Sequence, residues 1–224
     1  MPGTVYLCAT PIGNLQDITL RALEVLRTAD LIAAEDTRRT GQLLARYEIS
    51  TPMISFHQHN QGRRVPYLRQ VLEAGKTIAL VTDAGMPGIS DPGEVLVAEA
   101  IRLEARVVAV PGATAALAAL VVSGLPTRRF AFEGFLPRAG KQRRRRLQAV
   151  SREERTLVFY ESPYRLAETL ADMFTIFGNR QAVVARELTK VHEEVRRGSL
   201  EELAAYFGAT EAKGEVVIVV AGAS

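Results

Sequence analysis

Two hydrophobic periods alternate along the chain. Short, mostly apolar runs such as residues 4–9, 31–34 and 76–82 are typical of strands that are buried on both faces. Between them lie segments such as residues 20–26, in which apolar residues return every three or four positions, as on one face of a helix. This alternation of strand and helix predicts a parallel or mixed sheet covered by helices.

The same pattern assigns an element to most of the chain and divides it into two α/β domains. The first half is predicted to contain strands at residues 4–9, 31–34, 52–56, 76–82 and 106–110, and helices at residues 20–26, 41–47, 65–73, 94–103 and 114–122. The second half is predicted to contain strands at residues 130–133, 156–160, 182–186, 195–199 and 215–220, and helices at residues 142–150, 163–177 and 200–207. Gly, Pro and a change of charge mark residues 123–129 as a linker. We therefore predict domains 1–122 and 123–224, each a mixed sheet flanked by helices, with a ligand cleft between them.

Four loops of distinctive composition follow predicted strands. They are ATPIGNL at 9–15, AEDTRR at 34–39, DAGMPGISDPG at 83–93 and VPGAT at 110–114. The eleven-residue loop at 83–93 holds two acids and five Gly or Pro residues, more than a plain connection needs. Ligands of open α/β sheets bind at the carboxyl ends of the strands, so these loops are predicted to form a binding site.

Several common signatures are absent or incomplete. No G-x-G-x-x-G occurs, and Gly-Lys-Thr at 75–77 lacks the earlier glycine of a phosphate-binding loop, because Gln70 stands there. His57 and His59 form an H-x-H without the further ligands that a metal site needs, so we interpret them as polar loop residues and predict no metal. The single cysteine, Cys8, excludes an intramolecular disulfide and is expected to be a small buried side chain.

The composition is that of an ordinary folded protein. Hydrophobic residues make up 47% and charged residues 24% of the 224 residues, and the formal net charge is +3. High apolar content with low net charge excludes intrinsic disorder as the main state. The sequence has no apolar run of about eighteen residues, the length that a membrane-spanning helix needs, and its N-terminal segment lacks the basic region of a signal peptide. We therefore expect a cytoplasmic protein without a membrane partner.

Positive charge is concentrated in one stretch. Residues 128–155 contain ten Lys or Arg against three Asp or Glu, and the densest part is RAGKQRRRR at 138–146. Four consecutive arginines wrap most of the way around a helix, so a single internal face cannot hold them all. A polyanionic partner is one interpretation, and a solubilising helix face or loop is the other. The aromatic residues there, Phe130, Phe132 and Phe135, are too few to predict base stacking.

Motifs along nearly the whole chain resemble one known family. They are ATPIGNLQDITLRA, AAEDTRRT, VTDAGMPGISDPG, VPGATAALAAL, SGLP, FEGFLPR, FYESPYR, ARELTKVHEEVRRG and KGEVVIVV. The set resembles the bacterial ribosomal RNA small subunit methyltransferase I family, which has the two-domain tetrapyrrole-methylase fold. The resemblance implies a homodimer that uses S-adenosylmethionine to methylate a cytidine ribose 2′-hydroxyl in the decoding region of 16S rRNA, with the 30S subunit as partner. Met86 stands where members often have Thr, and Ala113-Thr114 where they often have Pro-Ser.

The resemblance also implies which residues hold the cofactor. In the first domain they are Asp83, Ala84, Gly85, Met86, Pro111, Gly112, Ala113 and Thr114, and in the second they are Tyr160, Glu161, Ala185 and Arg186. Asp83 would accept hydrogen bonds from the cofactor's ammonium group or ribose hydroxyls, and a turn-capping aspartate is the alternative. Backbone groups of Gly112 and Thr114, which precede a predicted helix, would bind a carboxylate or ribose.

Attack of a ribose oxygen on a methyl group requires alignment and a proton acceptor. Asn14 is expected to orient the hydroxyl, and the candidate proton acceptors are Glu35, Asp36, Glu187 and Lys190. A lysine serves only with a lowered pKa, and an internal ion pair is the plain alternative for Glu187 and Lys190. The residues predicted to bind RNA are Arg38, Arg39, Arg138, Lys141, Arg143, Arg144, Arg145 and Arg146.

Two other functions stay open on the sequence. A methylase of a small tetrapyrrole would share the fold but would have no use for the arginine cluster. A non-catalytic RNA-binding or ribosome-assembly protein would bind RNA and tolerate substitution at Asp83 and at residues 111–114. A phosphate-transfer enzyme is disfavoured, because the sequence has no intact phosphate-binding loop.

Overall fold

The computed structural model of the chain describes residues 1–91 and 93–223. It divides into two compact units, Met1–Thr114 and Ala115–Ser224. Each unit is built on a five-stranded sheet with helices, which confirms the predicted α/β class. No helix within the described residues is both long enough and apolar enough to cross a membrane.

The first unit is a fully parallel sheet. Its strands are β1 (Thr4–Cys8), β2 (Leu31–Ala34), β3 (Met53–Ser55), β4 (Thr77–Val81) and β5 (Arg106–Val110), and its helices are α1 (Leu20–Thr28), α2 (Thr37–Arg46), α3 (Gln61–Glu73) and α4 (Gly93–Arg102). The strand order is β3-β2-β4-β1-β5, with every pairing parallel. The expectation of a mixed sheet is therefore wrong for this unit, because helical crossovers bring each strand back in the same direction. The carboxyl ends of these strands share one edge, as the site prediction requires.

Helices cover both faces of this sheet. Helices α1 and α2 pack on one face through side chains such as Leu26 and Leu44, and α3 and α4 pack on the other through Leu68 and Leu96. Strands β1 and β4 are neighbours, but the chain leaves β1 towards the first face and β4 towards the second. Ligands of open α/β sheets bind where the connections from two neighbouring strands leave towards opposite faces.

The second unit is a mixed sheet, as predicted. Its helices are α5 (Ala115–Ser123), α6 (Gly140–Ala149), α7 (Leu166–Phe177) and α8 (Leu200–Ala209), and its strands are β6 (Phe130–Phe135), β7 (Thr156–Glu161), β8 (Gln181–Arg186), β9 (Glu194–Ser199) and β10 (Val216–Val220). The order is β6-β7-β10-β8-β9, with β6 and β7 parallel and the other pairs antiparallel. One apolar core joins this sheet to α6, α7 and α8 through Leu147, Leu170 and Leu203.

Helix α5 packs on the second sheet, although the predicted first domain, residues 1–122, includes most of it. Its contacts are with β7, β8, β9 and β10. Arg197 on β9 donates a hydrogen bond to the carbonyl oxygen of Ser123 at 3.2 Å. The division of the chain therefore falls after Thr114. The Gly and Pro that suggested a linker form the turn between α5 and β6, and composition alone does not distinguish such a turn from a boundary.

The predicted elements all form, and their ends shift by a few residues. The largest shift at a functional loop is in α2, which begins at Thr37 rather than at residue 41. Asp36 causes it, because its side chain caps the helix by accepting a hydrogen bond from the Arg38 amide. Helix α3 likewise begins at Gln61 rather than at residue 65 and accommodates Pro66 inside it.

Candidate active site

The loops after the neighbouring strands β1 and β4 are joined to each other by hydrogen bonds. The Thr10 amide donates to the Gly85 carbonyl at 2.9 Å, and the Gly85 amide donates to the Thr10 carbonyl at 3.1 Å. The buried Thr10 hydroxyl donates to the Thr82 carbonyl at 3.0 Å. The predicted cofactor loop is thus held to the end of β1 by a small antiparallel bridge. Thr10 was not predicted to matter, since a threonine after a strand carries no signal of its own.

Two predicted cofactor positions require glycine for different reasons. Gly85 has φ +85°, which is unfavourable for residues with a Cβ atom. A Cβ atom on Gly112 would lie 2.9 Å from the Cβ of Ala9, closer than real side chains approach. Gly112 and the neighbouring Pro111 are exposed, and Ala113 and Thr114 are partly buried. Main-chain groups of residues 111–114 are therefore accessible beside the end of β1.

The long loop after β4 is closed by its own aspartate. Asp91 Oδ1 accepts hydrogen bonds from the amides of Gly88 at 2.8 Å and Gly93 at 2.9 Å. Gly88 and Ser90 both adopt positive φ angles. Ala84 is exposed and Met86 is partly buried at the start of this loop. Pro92, which belongs to the predicted loop, lies outside the described residues.

Hydrogen bonds of the Glu35 and Asp83 side chains join the carboxyl ends of β2 and β4. The Asp83 amide donates to Glu35 Oε2 at 3.2 Å, and the Asp36 amide donates to Asp83 Oδ1 at 3.0 Å. Burial raises the pKa of Glu35, and the charges of Asp83 and Asp91 add to the rise against the opposing hydrogen bond from the Asp83 amide. The loops after β2 and β4 therefore meet at one edge of the sheet. Glu35 is thus a carboxyl group that holds its proton more tightly than an exposed glutamate does.

Asp36 has the opposite electrostatic character. Its carboxylate accepts hydrogen bonds from the Arg38 amide at 2.8 Å, from Arg38 Nε at 3.1 Å and from Arg38 Nη2 at 2.7 Å. These contacts hold the pKa of Asp36 well below its usual range. Such a carboxylate is a weak proton acceptor, so its role here is to cap α2 and hold Arg38. Arg39 Nη1 lies 3.5 Å from Asp83 Oδ2. Arg38 and Arg39, which are both predicted to bind RNA, therefore lie beside Asp36 and Asp83.

Asn14 caps a short 3₁₀ helix, Leu15–Asp17, in the loop after β1. Its side-chain oxygen accepts a hydrogen bond from the Gln16 amide at 3.0 Å. The residue is exposed, and no described side chain accepts a hydrogen bond from its amide nitrogen. One end of the Asn14 side chain is therefore fixed, and the other faces solvent.

In the second unit, Glu187 and Lys190 form the ion pair that was the plain alternative to catalysis. Lys190 Nζ lies 2.7 Å from Glu187 Oε1 and 3.1 Å from Glu215 Oε2. Burial acts to lower the pKa of Lys190, but hydrogen bonds to the two carboxylates outweigh it, and the pKa is raised. Burial acts to raise the pKa of Glu187, but the hydrogen bonds from Lys190 and the Glu215 amide lower it. Neither group has the pKa shift that a general base requires.

The side chain of Glu161 is used within the second unit. It is buried and accepts hydrogen bonds from the Thr169 hydroxyl at 2.7 Å and the Ser162 amide at 2.6 Å, and Arg165 Nη2 lies 2.5 Å away. These partners satisfy the carboxylate, so they leave little of it for the predicted role in cofactor binding. The neighbouring Tyr160 packs its ring among other aromatic rings.

The remaining predicted cofactor positions of this unit lie on β8. Ala185 is buried and pairs with Val217 of β10. Arg186 Nε lies 2.5 Å from Glu194 Oε2 on β9. The Arg186 side chain is thus held across the edge of the sheet by its ion pair.

The basic helix α6 divides its arginines between structure and surface. Arg143 is fully buried, with Nε 2.7 Å from Asp172 Oδ2 and Nη2 2.6 Å from Glu168 Oε1 on α7. Its predicted contact with RNA is therefore contradicted by its burial, and it fastens α6 to α7 instead. Arg146 pairs with Glu133 on β6 at 2.5 Å. The side chains that stay exposed are Arg138, Lys141, Arg144, Arg145 and part of Arg146.

The described residues contain no group of three or more His, Cys, Asp or Glu side chains placed to hold a metal ion. The rings of His57 and His59 lie 6.0 Å apart, edge to face. His57 Nδ1 is buried and lacks a hydrogen-bond partner among the described residues. Cys8 is buried as expected, and burial raises the pKa of its thiol to about 12.

Some solved structures align with nearly the whole of this chain. Uroporphyrin-III C-methyl transferase from Thermus thermophilus, complexed with S-adenyl homocysteine, aligns with a TM-score of 0.68 and 20% identity over 98% of this chain and 97% of its own. Diphthine synthase aligns with a TM-score of 0.74 and 15% identity over 98% of this chain and 90% of its own. At such low identity these matches establish the fold alone.

Sequence relatives establish the family. The Tetrapyrrole (Corrin/Porphyrin) Methylases pattern matches residues 4–204. A Synechocystis sp. protein named ribosomal RNA small subunit methyltransferase I is 54% identical over 99% of this chain and 80% of its own length. A Thermotoga maritima protein of the same name is 49% identical over 98% of this chain and 99% of its own. The chain therefore belongs to the ribosomal RNA small subunit methyltransferase I family, within the tetrapyrrole methylases.

Proposed function

We propose that this protein transfers a methyl group from S-adenosylmethionine to the ribose 2′-hydroxyl of a cytidine in the decoding region of 16S rRNA. The observation that carries the proposal is the 54% identity, over 99% of the chain, to a protein named for rRNA methylation. The acceptor atom and the target nucleotide come from the family resemblance. The exposed cations of α6 favour an anionic polymer as the acceptor, because they can bind its phosphates.

The carboxyl edge of the first sheet fits S-adenosylmethionine. The cofactor carries an ammonium group and ribose hydroxyls, which are donors, and a carboxylate, which is an acceptor. Asp83 places a half-buried carboxylate at this edge, where its oxygens contact the Asp36 amide and Arg39. Gly112 leaves its exposed main-chain groups open to close approach, at a position where a Cβ atom is not tolerated. When bound, the cofactor supplies the activated methyl group.

Glu35 is the proton acceptor that the geometry favours. It lies beside Asp83, is half-buried, and has a raised pKa, so its carboxylate is a stronger base than an ordinary glutamate. Ion pairs make the other three candidates poorer proton acceptors. They lower the pKa of Asp36 and Glu187, which weakens these carboxylates as bases, and raise the pKa of Lys190, which keeps it protonated. Asn14 would orient the ribose hydroxyl through its unpaired amide group. Glu35 would then take the hydroxyl proton as the ribose oxygen bonds to the methyl carbon and the bond from that carbon to sulfur breaks, with the neutral thioether as the leaving group.

Helix α6 would hold the RNA by its phosphates. Lys141, Arg144 and Arg145 are exposed on it, and Arg138 is exposed just before it. Contacts of this kind give affinity without reading bases, and the affinity falls as salt rises. Arg38 and Arg39 are expected to hold a phosphate beside the reacting ribose. Ribosomal subunits are cytoplasmic, so we expect the protein to act there.

A methyl-transfer assay tests the proposal. Tritium-labelled S-adenosylmethionine would be incubated with the protein and either unmethylated 30S subunits or free 16S rRNA. We expect label in alkali-resistant dinucleotides, which form only when a ribose 2′-oxygen is methylated. Label on a small tetrapyrrole but not on RNA would make the protein a small-molecule methylase. RNA binding without any binding of S-adenosylmethionine would make it a non-catalytic assembly protein.

A further inference from the structure

Two aromatic rings are exposed at the carboxyl edge of the second sheet. Strands β6 and β7 are parallel neighbours, so the loops that follow them lie side by side. Phe135 ends β6 and is 56% exposed, and Tyr164, in the 3₁₀ helix Pro163–Arg165 after β7, is 91% exposed. Exposed rings of this size forgo much of the burial that usually stabilises them, and such sites often mark a binding surface.

The two rings stand on a rigid base. The Phe135 ring centroid lies 5.4 Å from that of Tyr160, which in turn contacts Phe132 at 4.9 Å. Arg165 Nη1 donates to the Leu136 carbonyl at 3.2 Å and so ties the Tyr164 loop to the residue after Phe135. The buried carboxylate of Glu161 fixes the other end of the Arg165 guanidinium. A surface held in this way loses little conformational entropy when a ligand binds.

Exposed cations follow Phe135 along the chain, first at Arg138 and then on α6. Arg138 follows Phe135 by three residues, a span of at most about 10 Å. Arg138, Lys141 and Arg145 take part in no ion pair with the described residues, whereas nearby acids are already neutralised. Glu133, for example, is paired with Arg146. The surface therefore combines aromatic faces with unneutralised positive charge, which suits an unpaired stretch of nucleic acid.

We propose that Phe135 and Tyr164 stack on unpaired bases of the RNA substrate, while the cations of α6 hold its phosphates. The inference rests on the proposed function and adds a preference for unpaired RNA. The bases of a duplex are already stacked on one another and cannot lie on protein rings, so a duplex uses only the cations. The sequence does not predict this surface, because only the parallel pairing of β6 with β7 puts the loops of Phe135 and Tyr164 at the same edge of the sheet.

Binding of a short single-stranded RNA and of a duplex of the same length tests the inference. Fluorescence anisotropy would compare the wild type with the double variant Phe135→Ala/Tyr164→Ala. We expect the variant to bind the single strand about tenfold more weakly or worse, given the usual contribution of one or two stacked bases. Its affinity for the duplex and the salt dependence of binding should not change. A variant with Tyr164→Phe alone should bind as the wild type does, because the ring is kept.

Matched variants separate stacking from other effects. Tyr67→Ala removes a ring that is also exposed, on α3, and should leave both affinities unchanged. Phe135→Leu/Tyr164→Leu keeps apolar bulk without rings and should lose single-strand affinity as the alanine variant does. An unchanged midpoint of urea unfolding would confirm that each variant is folded.

Three results would overturn the inference. They are equal single-strand affinity in variant and wild type, equal losses on single strand and duplex, and loss of S-adenosylmethionine binding in calorimetry in place of RNA binding. The proposed function fails separately, if the wild type transfers no methyl group to rRNA. A wild type that methylates rRNA, with ring variants that bind and methylate equally well, refutes the stacking surface alone.

Discussion

At the residue scale, the candidate site depends on carboxyl groups whose neighbours give them different properties. Glu35 and Asp36 are adjacent, yet burial raises the pKa of the first and Arg38 lowers that of the second. The sequence identified both as candidate bases and had no means to choose between them. The choice depends on burial and on Asp83, which is brought to Glu35 by the pairing of β2 with β4.

Replacing Glu35 with Gln should lower kcat by about 10²–10⁴-fold, the usual contribution of a general base. Gln keeps an oxygen that can accept the Asp83 amide, so the binding of cofactor and RNA should hardly change. In the wild type, kcat should rise with pH through the raised pKa of Glu35 and level off above it, because only the carboxylate accepts a proton. The Gln variant should lack this rise in a pH–rate profile. A variant that keeps the wild-type rate and profile would exclude Glu35 as the base.

The raised pKa of Glu35 also predicts how the contribution of this residue to stability varies with pH. The folded state binds the Glu35 proton more tightly than the unfolded chain, so its contribution to stability is greatest at low pH and is lost as pH rises through the folded pKa. Glu35→Gln should therefore not destabilise the protein at neutral pH, which makes the kinetic result interpretable.

Asp83→Ala should weaken S-adenosylmethionine binding by about tenfold or more, as expected when a charged hydrogen-bond acceptor is removed. RNA affinity should stay close to that of the wild type, since α6 supplies the phosphate contacts. Isothermal titration with the cofactor and filter binding with 30S subunits would measure the two effects. Asp83→Asn, which keeps an acceptor for the Asp36 amide, is the control for local disruption. Loss of both cofactor binding and RNA binding in a folded variant would contradict this division of roles.

Gly112→Ala should destabilise the fold by about 1–3 kcal/mol, because the new Cβ atom would overlap Ala9 in a packed region. Gly62→Ala is the matched control. Gly62 lies in α3 with no atom within 4 Å of a Cβ position, so alanine there should be neutral or stabilise by up to about 1 kcal/mol. Urea denaturation of the two variants would compare them directly. Equal stabilities would show that the loop at Gly112 relaxes without cost.

At the scale of elements, α6 shows how one helix serves two purposes. The sequence argument that four arginines cannot share one internal face holds, since Arg144 and Arg145 are exposed. The separate prediction that Arg143 binds RNA was wrong, because Arg143 is buried and pairs with the carboxylates of Glu168 and Asp172 on α7. Residue spacing along α6 showed that the arginines differ in direction, and only packing against α7 decided which of them is inside.

Arg144→Glu/Arg145→Glu should weaken RNA binding and reduce its dependence on salt, with the free energy of unfolding nearly unchanged. Arg143→Met should leave RNA binding nearly unchanged. It should lower the free energy of unfolding by about 3 kcal/mol, because Asp172 loses its buried partner. Filter binding across a salt series and urea denaturation separate the two outcomes. If both variants changed only RNA binding, Arg143 would be a surface residue in solution.

At the scale of the whole molecule, the family resemblance predicts a homodimer. Light scattering coupled to size-exclusion chromatography should give twice the mass of one chain at micromolar concentration. A single-chain mass that does not change on tenfold concentration would contradict the prediction. Exposed apolar residues are present on both units, for example Leu20 and Ile101 in the first and Val121 in the second. They are the first positions at which substitution by Asp should shift the mass if a dimer forms.

The sequence by itself determined the order and type of the elements, the glycine-rich loops at strand ends and the family. Those features depend on local periodicity, turn chemistry and motif spacing, which residues close together in the sequence determine. Tertiary structure alone decided the purely parallel first sheet, the packing of α5 on the second sheet and the inward turn of Arg143. It also decided the contrast between Glu35 and Asp36 and the placing of the Phe135 and Tyr164 loops at one edge of the second sheet. Each of these depends on contacts between residues that lie far apart in the sequence, and burial and charge at such contacts are properties of the fold.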